Sequence, residues 1–434
     1  MRGAGGRCSA GCPGACSRHP SRSRPSTWPS WTSSASRWAC PCTSCSAGAT
    51  ATRSRSTGPS AGTPTPSEWR TRRRSRRPSS GGSVDCELRF GGNIYLCDDP
   101  DELPTLRTLV EDAHRAGLSD VRLLDRDEAQ EVLPLATGPF SAAMWSAHDG
   151  QCDPAKSTRA FAERAKVRGV TTLTGTLARA IVERDGGVRG VRTSRGYVEA
   201  GAVVVTGGVW TPHLVRTVGV EVPIMPVTHG QAETAPADPR FGPTIRAFRF
   251  GCRQRPGGRI VLSAGINARV EHRLTLAATR NVRLWATRYT GSRGNVRLRF
   301  DPALTLRQIR DRARLSTDHI PVATEPPASN RADVDAALAA LKRAMPAFEG
   351  LRIAKYWSGL LDISPDGLPI IDHEAGPDGL VFVTGLSGHG LALGPVVGEI
   401  TADLALDGTT ARPIHPFRLA RFHEGRVALP NKMI

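Results

Sequence analysis

The chain has 434 residues, enough to bury a large core and to form two domains, and its formal charge of +18 invites a nucleic-acid reading. The distribution of that charge argues against it: the first 82 residues hold 14 Arg, no Lys and one acid (Glu68), so +13 sits there and only +5 is spread over the other 352. No apolar run reaches transmembrane length and no apolar signal segment opens the chain, which argues against a membrane span and against a secreted disulfide module.

Residues 1–83 contain no Val, Ile, Leu, Phe or Tyr. Such a stretch cannot offset the entropy of ordering itself and is expected to be disordered. It holds Cys8, Cys12, Cys16, Cys40, Cys42 and Cys45, at spacings that match no zinc finger or ribbon, so no metal site is expected. Arg, Ser, Pro, Cys, Trp and Gly without aliphatics is also what a GC-rich gene gives when read out of frame, with the proper frame resuming near Ser83. The other four cysteines (Cys86, Cys97, Cys152, Cys252) are expected as free thiols in a reducing compartment, that is, in a cytoplasmic protein.

From Val84 the elements are legible in order. Glu87 to Leu96 reads as two short strands around Gly91-Gly92. Leu103, Leu106, Leu109, Val110 and Ala113 share one face of a helix over 101–116, stopped by Gly117. Asp125 with Glu128 forms a capping-box pattern, and Asp153-Pro154 opens a helix running to Arg168. Strands are predicted at 170–174, 177–183 and 188–193, the last two joined through Asp185-Gly186-Gly187. Ala202 to Thr206 is a fully apolar strand that runs through Gly207-Gly208 and Trp210 into a helix near Pro212. The region 220–300 is β-rich and Arg-rich, which suggests a mixed or antiparallel sheet, and 332–345 is an amphipathic helix.

A second strand–glycine–helix junction comes near the end: Leu380 to Thr384, then Gly385-Leu-Ser-Gly388-His389-Gly390-Leu391, then a helix through Pro395 to Asp407. Such a junction aims free N–H groups and a positive dipole end at whatever lies above the turn. A pyrophosphate would require a further strand after the helix, but Pro413 and Pro416 interrupt the chain beyond Asp407. The better occupant is a ring that accumulates negative charge during reaction. Tight helix–strand packing alone would also account for each junction.

Four stretches, 149–162, 203–210, 357–371 and 384–404, with Pro416-Phe-Arg-Leu-Ala-Arg-Phe422 in support, resemble the D-amino-acid oxidase, glycine oxidase and sarcosine oxidase superfamily of FAD-dependent amine oxidoreductases. The resemblance implies an α/β fold in which a doubly wound FAD-binding domain (149–218 and 351–425) is interleaved with a mixed β-sheet substrate domain (84–148 and 219–350), with 426–434 as a tail. It implies that Gly388, His389, Gly390 and Leu391 face the flavin pyrimidine edge. By the same resemblance Val205, Gly207, Gly208 and Trp210 lie along the FAD diphosphate, the backbone at Leu177 meets the adenine, and Asp366 and Gly367 border the flavin. The implied activity is oxidation of the CH–NH bond of a small amine or amino acid, by hydride transfer to flavin N5, with a partner subunit or other electron acceptor to follow.

Three departures qualify that expectation. No G-x-G-x-x-G turn after an apolar strand occurs in 1–83, so an inactive remnant unable to bind FAD is the alternative reading. Leu361-Asp362 stand where several amino-acid oxidases place a carboxylate-clamping Arg, which leaves Arg253 as the substitute candidate. No Cys lies in 356–372, so FAD is expected to be non-covalent. His389 is the candidate base, although hydride transfer requires none and a His between two glycines can equally serve as a shape or hydrogen-bonding element.

Overall fold

The computed structural model describes residues 85–265 and 331–425, with strands at 270–274 and 296–300 and a few isolated residues between them. The expected disorder of 1–83, the shifted reading frame, the six early cysteines and the tail 426–434 lie outside the described residues.

Strands β1 (Arg89–Phe90) and β2 (Asn93–Leu96) flank the glycine pair, and α1 (Leu103–Arg115) buries Leu106, Val110 and Ala113. After β3 (Val121–Asp125) comes α2 (Arg126–Val132), which starts on the expected capping box: Asp125 accepts from the Glu128 N–H and Glu128 accepts from the Asp125 N–H. Strands β4 (Ala142–Ser146) and β5 (Gly150–Gln151) precede α3 (Pro154–Val167), capped by Asp153. An antiparallel meander comes next, β6 (Ala178–Arg184), β7 (Gly187–Thr193) and β8 (Gly196–Glu199), then β9 (Val203–Val205) and the short α4 (Thr211–Val215). The chain then makes β10 (Met225–Thr234), β11 (Thr244–Ala247), β12 (Phe250–Gln254), β13 (Ile260–Ala264), β14 (Val270–Leu274), β15 (Val296–Phe300) and α5 (Arg331–Ala344). It returns through β16 (Ile353–Ile363) to β17 (Ile370–Asp372), β18 (Leu380–Thr384) and α6 (Gly390–Asp407).

Two sheets organise these elements. Ten strands form a large mixed sheet in the order β15-β14-β10-β13-β12-β11-β2-β4-β3, with β16 along β10. Its core packs Ile94, Leu96, Ile245, Phe250, Ile260 and Leu262 against Leu341 of α5 and Phe348. The small sheet has the order β17-β18-β9, with β9 parallel to β18. All five residues of β18 are buried because both faces are covered, one by the meander side and one by α6. The chain thus enters the small sheet, leaves for the large one, and comes back, which is the interleaving expected.

Two expectations differ in detail. The stretch 170–174 forms no strand and lies exposed, because a strand holds its shape only through ladder bonds and no described strand lies beside it. β16, expected on the cofactor side, pairs with β10 from Ile353 to Ile363 and belongs to the large sheet along its whole length.

Candidate functional site

Because β9 and β18 are parallel, both of their glycine turns lie at the same end of the small sheet. The turns are tied together: the Thr384 hydroxyl lies 3.0 Å from the Gly208 carbonyl and 3.1 Å from Asp362 Oδ2, its one proton shared between two acceptors. Asp362 Oδ2 also accepts from the Gly385 N–H at 2.7 Å, and the Asp362 carbonyl accepts from the Ser387 N–H at 3.2 Å. So the last turns of β16, a strand of the large sheet, set the shape of the loop that ends β18. That loop needs left-handed backbone at Gly385 (φ 70°), Ser387 (φ 50°) and Gly388 (φ 87°). Ser387 is not glycine and tolerates the strain because its hydroxyl donates to the Gly385 carbonyl (3.0 Å) and accepts from the Ser364 N–H (3.3 Å).

His389 is the N-cap residue of α6, and the first-turn N–H groups of Gly390, Leu391 and Ala392 have no partner within the helix. Gly388 and Leu391 are exposed, and a side-chain carbon at Gly388 would meet nothing within 4 Å. The loop therefore presents donors and a positive dipole end to open space.

Three side chains face this region electrostatically. Burial lowers the His389 pKa, and the positive charge of Arg246 lowers it further, against hydrogen bonds to the Leu386 and Ser387 backbone. Burial and Arg246 also lower the pKa of His229 on β10. Both imidazoles are therefore neutral at pH 7. Arg246 sits on β11 opposite Tyr95 of β2; burial lowers its own pKa and Tyr95 opposes that. Among the described residues no carboxylate pairs with Arg246, so a cation removed from water stands near two neutral imidazoles.

The predicted site residues are distributed unevenly. Gly388, His389, Gly390 and Leu391 fall at the start of α6, while Val205, Gly207, Gly208 and Trp210 form the neighbouring turn at the end of β9. Leu177 lies just before β6, but its N–H donates to Ser194 Oγ at 3.0 Å and its carbonyl accepts from the Ser194 N–H at 2.8 Å, so its backbone is already satisfied. Asp366 is 3% exposed and grips Arg421 through both oxygens, at 2.8 and 3.0 Å, so its carboxylate anchors the 416–422 segment. Gly367 supplies the left-handed turn beside it (φ 76°). Arg253 lies 3.4 Å from Asp153 and 3.9 Å from Glu87, and is engaged with this chain's own acids. Among the described residues Arg246 has no carboxylate partner, and nothing in the sequence marks it, because one Arg in an alternating strand, 244–247, looks like any other in so Arg-rich a region. In the sequence Asp362 stands out only as a residue that is not an Arg, and its role emerges from β16 reaching the loop.

The chain matches the family model described as FAD dependent oxidoreductase over residues 40–404. N-methyl-L-tryptophan oxidase of Salmonella arizonae is 49% identical over 63 residues, an alignment that spans 14% of this chain and 17% of that protein. Among solved structures, the L-amino acid deaminase from Proteus vulgaris superposes with a TM-score of 0.68 at 23% identity, covering 78% of this chain and 79% of that one. The glycine oxidase from Geobacillus kaustophilus gives 0.61 at 22% identity, covering 78% and 76%.

Proposed function

Since the chain belongs to the FAD-dependent oxidoreductase family and FAD is its cofactor, we propose that it oxidises the CH–NH bond of an amino acid whose carboxylate is held by Arg246. The described residues fit the isoalloxazine end of FAD: a glycine-permitted close approach at Gly388, a helix start with free N–H groups, and neutral imidazoles beside it. FAD, when bound, supplies at N5 the two-electron acceptor for the substrate's α-hydrogen.

The rest is done by this chain. The Arg246 guanidinium pairs with the substrate carboxylate, a charge-assisted contact strengthened by the scarcity of water. An amino acid must lose a proton from its ammonium group before its α-hydrogen leaves as hydride, and a ring nitrogen of His389 or His229, both held neutral, can accept it. The free N–H groups at 390–392 and the α6 dipole favour the negative charge that develops opposite them. The imine released from the site takes up water to give the 2-oxo acid and ammonia, or an amine where the substrate nitrogen carries an alkyl group. The absence of Cys from 356–372 supports non-covalent attachment of the cofactor.

The observation that carries this reading is Arg246, which no carboxylate pairs among the described residues. Anthranilate, the ligand in the L-amino acid deaminase structure from Proteus myxofaciens, is a suitable carboxylate probe because its binding can be followed by calorimetry. Arg246→Met should weaken it by roughly tenfold to a hundredfold, the worth of a charge-assisted hydrogen-bonded pair at about 1.5–3 kcal/mol. If Arg253→Met weakens binding more than Arg246→Met, the assignment is wrong. A second reading, that the chain alone does not retain FAD, is favoured by the outer edge of β9, with which no described strand pairs. A colourless purified protein that stays colourless when FAD is added would support it.

A further inference from the structure

Arg246 and Arg253 lie on one face of the large sheet, because side chains alternate along a strand and Gly251, two residues before Arg253 on β12, is the register partner of Arg246. Their neighbours differ. Arg253 lies within 4 Å of two acids, Asp153 and Glu87. Arg246 has Tyr95 of β2 beside it in the parallel register, and on its other flank Gly251, which offers no side chain.

Behind Tyr95 stands an acid of its own. Tyr95 is 3% exposed and Glu102 7%, and the Tyr95 hydroxyl donates to Glu102 Oε1 at 3.5 Å. Both partners are fixed in place. Tyr95 packs among Cys97, Leu106 and Ala142, while Glu102 closes the turn Pro100–Glu102 ahead of α1, its N–H donating to the Asp99 carbonyl at 3.0 Å. Asp98 fastens that loop just beyond β11 by accepting from the Phe248 N–H at 3.0 Å. Burial first, and Glu102 second, push the Tyr95 pKa up, so the phenol keeps its proton and stays a donor; the charge of Arg246 pulls the other way. Tyr95 thus feels both the acid and the cation, whereas among the described residues Arg246 feels Tyr95 and no carboxylate.

We propose that Tyr95 is a positioning residue for Arg246, a spacer whose hydroxyl occupies Glu102 and so keeps the guanidinium un-neutralised for a substrate carboxylate. A cation taken out of water gains most from an opposite charge it can reach. Without the hydroxyl, Glu102 loses that donor, and Arg246 stands just across the ring from it, so the two close into an ion pair of the kind Arg253 makes with Asp153. A paired guanidinium has fewer N–H groups and less charge left for a ligand. With Tyr95 filling one flank, the bare flank at Gly251 is the side from which the carboxylate arrives. That Arg246 binds a carboxylate rests on the function proposed above; that Tyr95 separates it from Glu102 does not.

Two measurements on the full chain supplied with FAD test this: the titration of His229 and His389, followed by NMR of their ring protons, and anthranilate binding by calorimetry. Both imidazoles are held low, by burial first and by Arg246 second, so Arg246→Met should raise both titration midpoints. Tyr95→Phe should raise them by less, as the guanidinium withdraws towards Glu102, and should weaken anthranilate about tenfold. Adding Glu102→Gln to Tyr95→Phe removes the charge that draws Arg246 away, and should restore both the midpoints and the affinity. The proposal is overturned if Arg246→Met or Tyr95→Phe leaves the midpoints where they were. It is also overturned if Glu102→Gln fails to restore them, since Tyr95 would then act through packing alone. An anthranilate affinity that Arg246→Met leaves unchanged counts against the proposed function, and the midpoints then decide the spacer on their own.

Discussion

The large sheet and the small sheet both contain strongly apolar strands, yet among the described residues one surrounds them with neighbours and the other leaves one of them at an edge. In the large sheet β12 and β13 are flanked by strands on both sides, and the inward residues Phe250, Ile260 and Leu262 are 1% exposed or less. In the small sheet β18 is as well buried, but β9, also Val-rich, pairs with one described strand and leaves Val204 43% exposed. Burial follows from neighbours and not from hydrophobicity alone, since apolar area contributes only when something removes it from water.

That contrast is sharpest in a pair of truncations. Phe250→Ala should cost about 3–5 kcal/mol, the usual range for emptying a packed aromatic site, while Val204→Ala should change stability by less than about 0.5 kcal/mol, as at an uncovered surface position. Urea unfolding of both variants decides it. A large cost at Val204 would mean that its face is covered after all.

The second effect asks what holds the small sheet together without a complete set of neighbours. Arg421 is 4% exposed and makes a two-pronged contact with Asp366, with further bonds to the Phe417 and Leu368 carbonyls. Asp372 does a related job, accepting from the Leu419 N–H at 2.7 Å. Together they bind the 416–422 segment under β17. Removing one partner of a buried pair strands the other charge, so Arg421→Ala should cost about 3–5 kcal/mol. If the cost is under about 1 kcal/mol by the same urea titration, the segment is held by Leu419 and Phe422 packing instead.

The sequence was informative where the determinants were local. The capping box at Asp125, the Asp153-Pro154 helix start, the meander turn at 185–187 and the two strand–glycine–helix junctions all fell where expected, because each is specified within a few residues. What failed was decided at a distance. The stretch 170–174 has strand composition but nothing beside it, and β16 went to the large sheet because β10 offered it a full-length partner. Arg253 and Arg246 are both Arg in half-buried strands; only the placement of Glu87 and Asp153 beside one of them shows which is neutralised. Asp366 and Asp362 present the same problem in reverse.

A third, smaller effect tests the charge network that secures the start of the described chain to the large sheet. Arg255 contacts Glu87 at 2.6 Å, Asp153 at 3.2 Å and Glu233 at 3.1 Å, and Lys156 reaches Asp85 and Glu87. Burial alone would raise the Glu87 pKa, but hydrogen bonds from Arg255 and Lys156 prevail and hold it below 4.5; for Asp153, burial is likewise outweighed by the Lys156 N–H and the two arginines, which hold it below 3.8. Carboxyl groups with depressed folded-state pKa values contribute stability that is complete above their unfolded values and lost as pH falls through the folded ones. Arg255→Ala should therefore cost about 1.5–3 kcal/mol at pH 7, and the gap from the parent should close below about pH 4. A gap that persists unchanged once acid has protonated both carboxyl groups would show that Arg255 acts through packing and not through charge.

The smallest effect has the opposite sign and lies beside the two-stranded β1–β5 pair, outside both of these sheets. Asp149, beside β5, has its pKa raised to about 6, first by burial and then by the like charge of Asp120, with a Ser146 hydrogen bond and His148 opposing. The folded state therefore binds this proton more tightly than the unfolded chain does, so stability is highest at low pH and declines as pH rises from 3.8 to about 6, staying flat above. Asp149→Asn keeps the size and a hydrogen-bonding group for Ser146 but removes the charge. Its melting temperature at pH 7.5 should exceed that of the parent by on the order of 2 °C, and the advantage should vanish near pH 3.5, where the parent is protonated as well. Thermal melts at the two pH values read the difference directly, and a gain that is equal at both would place its origin in something other than the buried carboxylate.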